Sequence, residues 1–230
     1  MKNLAGLFFT AFFSILFFTA RAQEIDKPNF AFASHPISIE KIIRLPDAFV
    51  IRLNIENQME NGYFCASKTI YLQDIISGKK IKLNHAENIP VCPDVYHFKW
   101  VGEKLHFSLY FPLPDSGLRY ANVIEECQSH CLSIYGLITD AKMNNQINRG
   151  FDAYSHQNLS FALESFEAAV QQNPDYPFGF LYAHIIKILL EQEKYYEAKS
   201  WFQKLKMSNF IDKKSVLKQI EKLDNAWKLK

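Results

Sequence analysis

The chain has 230 residues, 26 Lys and Arg against 24 Asp and Glu, and eight glycines. That length allows one or two domains. The near-balanced charge excludes bulk basicity as a means of holding nucleic acid, and so few glycines leave little room for phosphate-cradling loops.

Lys2 is the only charge before an apolar run at residues 4–19, which ends in Ala20-Arg21-Ala22 and is followed by Gln23. A positive start, a short apolar core and a small-x-small ending predict a secretory signal peptide over residues 1–22, cleaved after Ala22. A permanent anchor is the lesser reading, because the run is at the low edge of what spans a bilayer. No Cys lies near the cleavage point, which argues against a lipid-anchored protein. The ending resembles leaders of secreted Bacteroidota proteins, whose mature chains often begin with Gln. Without its leader the chain carries 24 basic and 24 acidic residues. The expected location is the periplasm or the cell exterior.

Residues 23–139 are expected to form a disulfide-stapled β-sandwich. Phe49, Ile51, Leu53 and Ile55 alternate with polar residues, as do Leu105, Phe107, Leu109 and Phe111. This two-residue period belongs to half-buried strands. Further strands are expected at residues 37–45, 64–72, 80–83, 95–101 and 132–138, with turns at Asn61-Gly62, Ser77-Gly78 and Asp115-Ser116-Gly117. About seven short strands predict an antiparallel sandwich of immunoglobulin-like type.

The four cysteines, Cys65, Cys92, Cys127 and Cys131, all lie in this half. An even count in an exported chain favours disulfides, and the sequence allows three pairings. We expect Cys65–Cys92, tying non-adjacent strands, and Cys127–Cys131, closing a tight loop before a strand. Two sharper readings compete. Cys127, His130 and Cys131 contain zinc-type ligands but lack a second short-spaced pair. Cys127 and Cys131 as a redox pair would make the protein a thiol-disulfide envelope factor, although no C-x-x-C occurs. Trp100, alone of its type in this half, gives thin support to carbohydrate binding. Cys92-Pro93-Asp94-Val95 and Ile124-Glu125-Glu126-Cys127 resemble parts of an N-terminal β domain of secreted Bacteroidota proteins. The likeness covers about residues 37–138 and implies fold and address but no activity.

Residues 140–230 are expected to be helical. Asp140 caps a helix over residues 141–155, and a second runs over 159–172 until Asn173-Pro174-Asp175 stops it. Residues 178–190 are apolar on nearly every side and so must be packed on several sides. A fourth helix spans 195–207. A fifth, after Asp212, carries Val216, Ile220, Leu223 and Trp227 on one face and Lys on the other, as a capping helix does.

Gly150, Ala162, Phe166, Ala169 and Pro174 recur in part as Ala198 and Phe202, 36 residues after Ala162 and Phe166. Over residues 143–210 this resembles the tetratricopeptide repeat (TPR), whose period is 34 residues. The surplus of two residues is expected around residues 191–195. The second copy departs from the pattern, with Leu205 at a usually small position and no following Pro. The resemblance implies a TPR-like array with a concave groove for a protein or peptide; a generic helical bundle is the plainer alternative.

No catalytic signature is present, and no cofactor is expected. His97 and His106 are expected to face each other on neighbouring strands. Glu125-Glu126 point to opposite sides of an extended chain and so make no carboxylate dyad. The Lys-rich end reads as a solvated helix face. The whole predicts an α+β chain of two domains, an exported non-enzymatic binding or scaffold protein for a protein or peptide partner, with no nucleic acid and no stable membrane span.

Overall fold

The computed structural model describes residues 23–114 and 117–229. The expected signal peptide and the Asp115-Ser116 part of one expected turn lie outside the described residues. In chain order the strands are β1 Gln23–Asp26, β2 Phe32–Ala33, β3 Ile37–Arg44, β4 Ala48–Glu56, β5 Tyr63–Phe64, β6 Ile70–Asp74, β7 Lys80–Lys82, β8 His85–Glu87, β9 Tyr96–His97, β10 Lys104–Pro112, β11 Tyr120–Glu125 and β12 Ser133–Ile138. The helices are α1 Ala141–Ser155, α2 Leu159–Gln171, α3 Phe180–Glu191, α4 Tyr195–Met207 and α5 Lys213–Ile220, followed by a 3₁₀ turn at Ala226–Leu229.

Two antiparallel five-stranded sheets share one apolar core. Their orders are β1-β3-β4-β10-β8 and β2-β12-β11-β6-β7. The first is built on the alternation of β4 and β10, which pair along their whole lengths from Lys104 opposite Glu56 to Pro112 opposite Ala48. Their inward residues meet Leu72, Val123 and Ile134 of the second sheet. Strands β5 and β9 form a separate two-stranded ladder. The expected strand at 64–72 is therefore divided in two, and that at 95–101 shrinks to two residues. His97 pairs with Tyr63, and His106 pairs with Asn54, so the two histidines are not on neighbouring strands.

The second sheet is buried on both faces along β12 and at the start of β11, while β7 stays largely exposed. Tyr120 and Ile138 leave the sandwich core and join the core of the helices. The segment between α2 and α3 lies on this outer face. Tyr176 donates its hydroxyl to the Gly136 carbonyl at 2.6 Å, and Tyr120 makes a T-shaped contact with the Tyr176 ring. Arg119 donates to the Asp140 and Asp175 carboxylates and to Asn173. Asn144, fully buried on α1, donates to the Ile138 carbonyl and accepts from the Asn29 backbone. Buried polar groups placed this way are satisfied, so the seam carries no desolvation penalty from orphaned donors.

Gly136 admits no side chain. Its φ of +69° is unfavourable for other residues, and an added Cβ would lie 2.7 Å from the Tyr176 hydroxyl and 2.8 Å from Phe178. The extra residue of a bulge lies here, since Tyr135 and Gly136 of β12 stand opposite the single Asn122 of β11, whose side chain accepts the Gly136 N–H.

The helices pack in sequence order, with α3 meeting α2, α4 and α5. Asp140 caps α1 by accepting the Met143 N–H at 2.9 Å. The expected terminal helix is cut short: α5 ends at Ile220, Asn225 takes φ +62°, and Trp227 is exposed.

Replacing Gly136 with Ala is expected to lower stability by more than about 2 kcal/mol, since strain and overlap act together. Gly78 is also at positive φ, but an added Cβ there would meet nothing within 4 Å, so its replacement by Ala should cost only about 1 kcal/mol. Urea unfolding of the two variants gives the comparison.

Candidate functional site

The cysteines pair as Cys65–Cys92 and Cys127–Cys131. The first bridge encloses β6, β7 and β8, spanning 27 residues; the second closes the β11–β12 hairpin, spanning four. His130 lies inside that hairpin at φ +56°. Among the described residues, no three His, Cys, Asp or Glu side chains converge as metal ligands. Glu125 accepts the Leu132 N–H while Glu126 pairs with Lys80, so the adjacent acids serve separate contacts.

The residues of the helical pattern set close packing between helices. Ala162, Ala169 and Ala198 are fully buried, and Gly150 gives its missing side chain's space to Phe166, whose ring carbon would lie 2.7 Å from an added Cβ. Phe166 in turn touches Phe151 of its own hairpin and His184 of the next. Phe202 is half-buried beneath the Lys206 ammonium. Pro174 is exposed at the corner after α2.

Two of the turns between helices have the same backbone form. Gln157 and Glu193, 36 residues apart, both take left-handed conformations between paired helices. Around them Asn158 N–H reaches the Ala153 carbonyl and Lys194 N–H reaches that of Leu189, again 36 residues apart. The connection after Pro174, between α2 and α3, is the segment docked on the sheet.

That connection also forms one wall of a cleft of about 270 Å³. Pro174, Tyr182, Trp201, Lys204 and Phe210 line its mouth and floor. Tyr182 makes edge contacts with both Trp201 and Phe210, with ring centres 5.1 Å apart in each pair. The Lys204 ammonium lies 4.5 Å over the Trp201 ring, whose N–H is donated to Glu167. Phe210 is seated against Gly179, whose N–H is donated to the buried Asp212 carboxylate at 2.7 Å. Burial raises the pKa of Asp212. Such a cleft offers aromatic walls and one cation to a guest side chain. Tyr182, Lys204 and Phe210 were not marked by the sequence pattern, because the repeat motif concerns small packing residues.

His184, on α3, is enclosed by Phe151, Phe166 and Phe180. Desolvation there, assisted by Lys187, lowers its pKa to about 4. No family model matches the chain, and neither curated proteins nor solved structures give a match.

Two outcomes are expected. The Cys65→Ser/Cys92→Ser variant should lose about 3–4 kcal/mol and the Cys127→Ser/Cys131→Ser variant about 2, following the loop each bridge closes in the unfolded chain; denaturant unfolding measures both. His184 is neutral when folded but takes a proton when unfolded. Stability should therefore fall as pH drops from about 6.5 to about 4, by at most about 1.4 kcal/mol per pH unit, and His184→Phe should remove that slope.

Proposed function

We propose that this is an exported, non-enzymatic binding or scaffold protein of the cell envelope, in which a TPR-like array fixed to an immunoglobulin-like sandwich takes a peptide segment of a partner protein. The address is supported by the leader-like start, by two cysteine pairs suited to an oxidising compartment and by the absence, among the described residues, of a helix long and apolar enough to cross a membrane.

The immunoglobulin-like reading is supported by strand order. Strands β3-β4-β10-β8 correspond to A-B-E-D, and β7-β6-β11-β12 to C′-C-F-G. The chain departs from the antibody type in its cysteines, neither pair of which joins β4 to β11. The TPR-like reading is supported by helices adjacent in chain order and by two turns that repeat at 36 residues.

The observation that carries the binding reading is the aromatic cleft at Tyr182, Trp201, Lys204 and Phe210. Rigid aromatic rings bury a guest side chain with little loss of their own freedom, and the lysine adds preference for a nearby acidic group. Selection of a random peptide library against the purified chain should enrich sequences pairing an apolar side chain with Asp or Glu. Lys204→Glu and Tyr182→Ser should each weaken the enriched peptides by at least tenfold, read by titration calorimetry. Failure to enrich any peptide, or affinities indifferent to both substitutions, would overturn the reading.

A further inference from the structure

A second surface lies at the other end of the sandwich. Arg44 at the β3–β4 turn donates to the Leu118 carbonyl, beside the Arg119 ion pairs, so the Ala48 end of β4 is the end next to that part of the seam. The Glu56 end, paired with Lys104, is a strand's length away, roughly 27 Å for nine residues. There the loops at residues 57–62 and 98–103 are joined through Asn57.

Asn57 is 5% exposed. Its backbone N–H is donated to the Glu103 carbonyl, and its own carbonyl accepts the Gly102 N–H at 2.7 Å. Its carboxamide nitrogen donates to the Trp100 carbonyl at 2.8 Å, and its carboxamide oxygen accepts the Met59 N–H. Gly62 is pressed against the same carboxamide, where an added Cβ would overlap the oxygen. The Phe98 N–H is donated to the Gly62 carbonyl. Glu103 closes the second loop by accepting the Tyr96 hydroxyl and the Lys99 N–H. One buried residue thus fixes the backbone of both loops.

Four large apolar side chains stand in solvent on this frame: Met59 at 66%, Tyr63 at 66%, Trp100 at 60% and Val101 at 55% exposure. Single exposed apolar residues are ordinary, but Met59, Trp100 and Val101 stand on two loops tied to one carboxamide, and Tyr63 opens β5 directly after the first loop. Gln58, Glu60 and Asn61 are exposed on the first of these loops.

We propose that this loop pair is a carbohydrate-binding site for β-linked polysaccharides whose pyranose rings carry equatorial hydroxyls. Such a ring turns its axial C–H bonds to its two faces, leaving flat apolar faces and a rim of hydroxyls. The faces stack on electron-rich indole and phenol rings, whose negative faces attract the C–H groups. The rim meets amide and carboxylate groups, which between them donate to and accept from hydroxyls. Tyr63 and Trp100 supply the rings; Gln58, Glu60 and Asn61 supply the polar partners. A lipid bilayer is the poorer occupant, because Glu60 and Asn61 would have to enter the interface alongside the rings. The fixed backbone makes the site ready before the ligand arrives, which lowers the entropic cost of binding.

The test is a two-dimensional NMR titration of the purified chain with cellohexaose, xylohexaose and N-acetylchitohexaose in turn. At least one should shift the Trp100 indole N–H resonance while leaving those of Trp201 and Trp227 in place. Trp100→Ala should weaken that oligosaccharide at least tenfold and Tyr63→Ala severalfold, with the unfolding midpoint unchanged because both side chains are exposed. Trp227→Ala and Lys204→Glu should bind it as the parent does, which separates this site from the helical cleft. No Trp100 shift with any of the three at millimolar concentration would overturn the proposal. So would binding indifferent to both substitutions, or a Trp100 response to phosphatidylcholine vesicles in place of the oligosaccharides.

Discussion

The close approach of the α2–α3 connection to Gly136 is the contact on which the arrangement of this molecule depends. A side chain at position 136 would separate Tyr176 and Phe178 from the sheet. Without that approach Tyr120 and Ile138 would face water, and the helices would lose two members of their core. The sheet β2-β12-β11-β6-β7 is shared between the sandwich and the helices: the sandwich core covers one face, and the helices cover the other where Tyr120, Gly136 and Ile138 lie. A chain that reads as two units by composition therefore has two cores joined through one sheet, with Asp140 both capping α1 and holding Arg119 across the junction.

Much of this was legible in the sequence, and what was hidden was hidden for physical reasons. β4 and β10 face the core on one side, so they alternate and their extents can be read directly. β11 starts where both faces are buried, at Tyr120 and Ala121, and β12 carries the bulge at Tyr135 and Gly136, so neither keeps a clean two-residue period. β1, β2 and β8 are edge strands of two to four residues, too short for a two-residue period to show. The bounds of α1 and α2 follow from the Asp140 and Asn158 caps and from Pro174, and those of α3 and α4 from their apolar residues. The end of α5 does not, because its apolar spacing continues past Ile220 while the backbone turns away. Of the surface residues, Trp100 and Pro174 stand out by type. Tyr63, Tyr182, Lys204 and Phe210 acquire their setting only from contacts distant in sequence.

The two proposed surfaces share a design principle. In each, aromatic side chains are exposed or half-exposed, while the backbone beneath is fixed by a buried polar residue. Asn57 performs this for the sandwich loops, and Asp212, through Gly179, for the wall on which Phe210 rests. A buried polar group with all its partners in place admits few alternative conformations, so the rings are presented in one arrangement. Small-residue packing at Gly150, Ala162 and Ala198 plays a different part, setting how closely the helices lie.

The Cys65–Cys92 bridge acts on the mechanics of the chain. Strands β6 and β7 belong to one sheet and β8 to the other, and all three lie inside the covalent ring. A force applied to the two ends passes through the bridge and leaves this crossover slack. The 27-residue separation corresponds to roughly 90 Å of extended chain that tension cannot draw out while the bridge is closed. A protein held between a surface and a partner would thus be less extensible when oxidised, and would lengthen under load once that single bond was reduced.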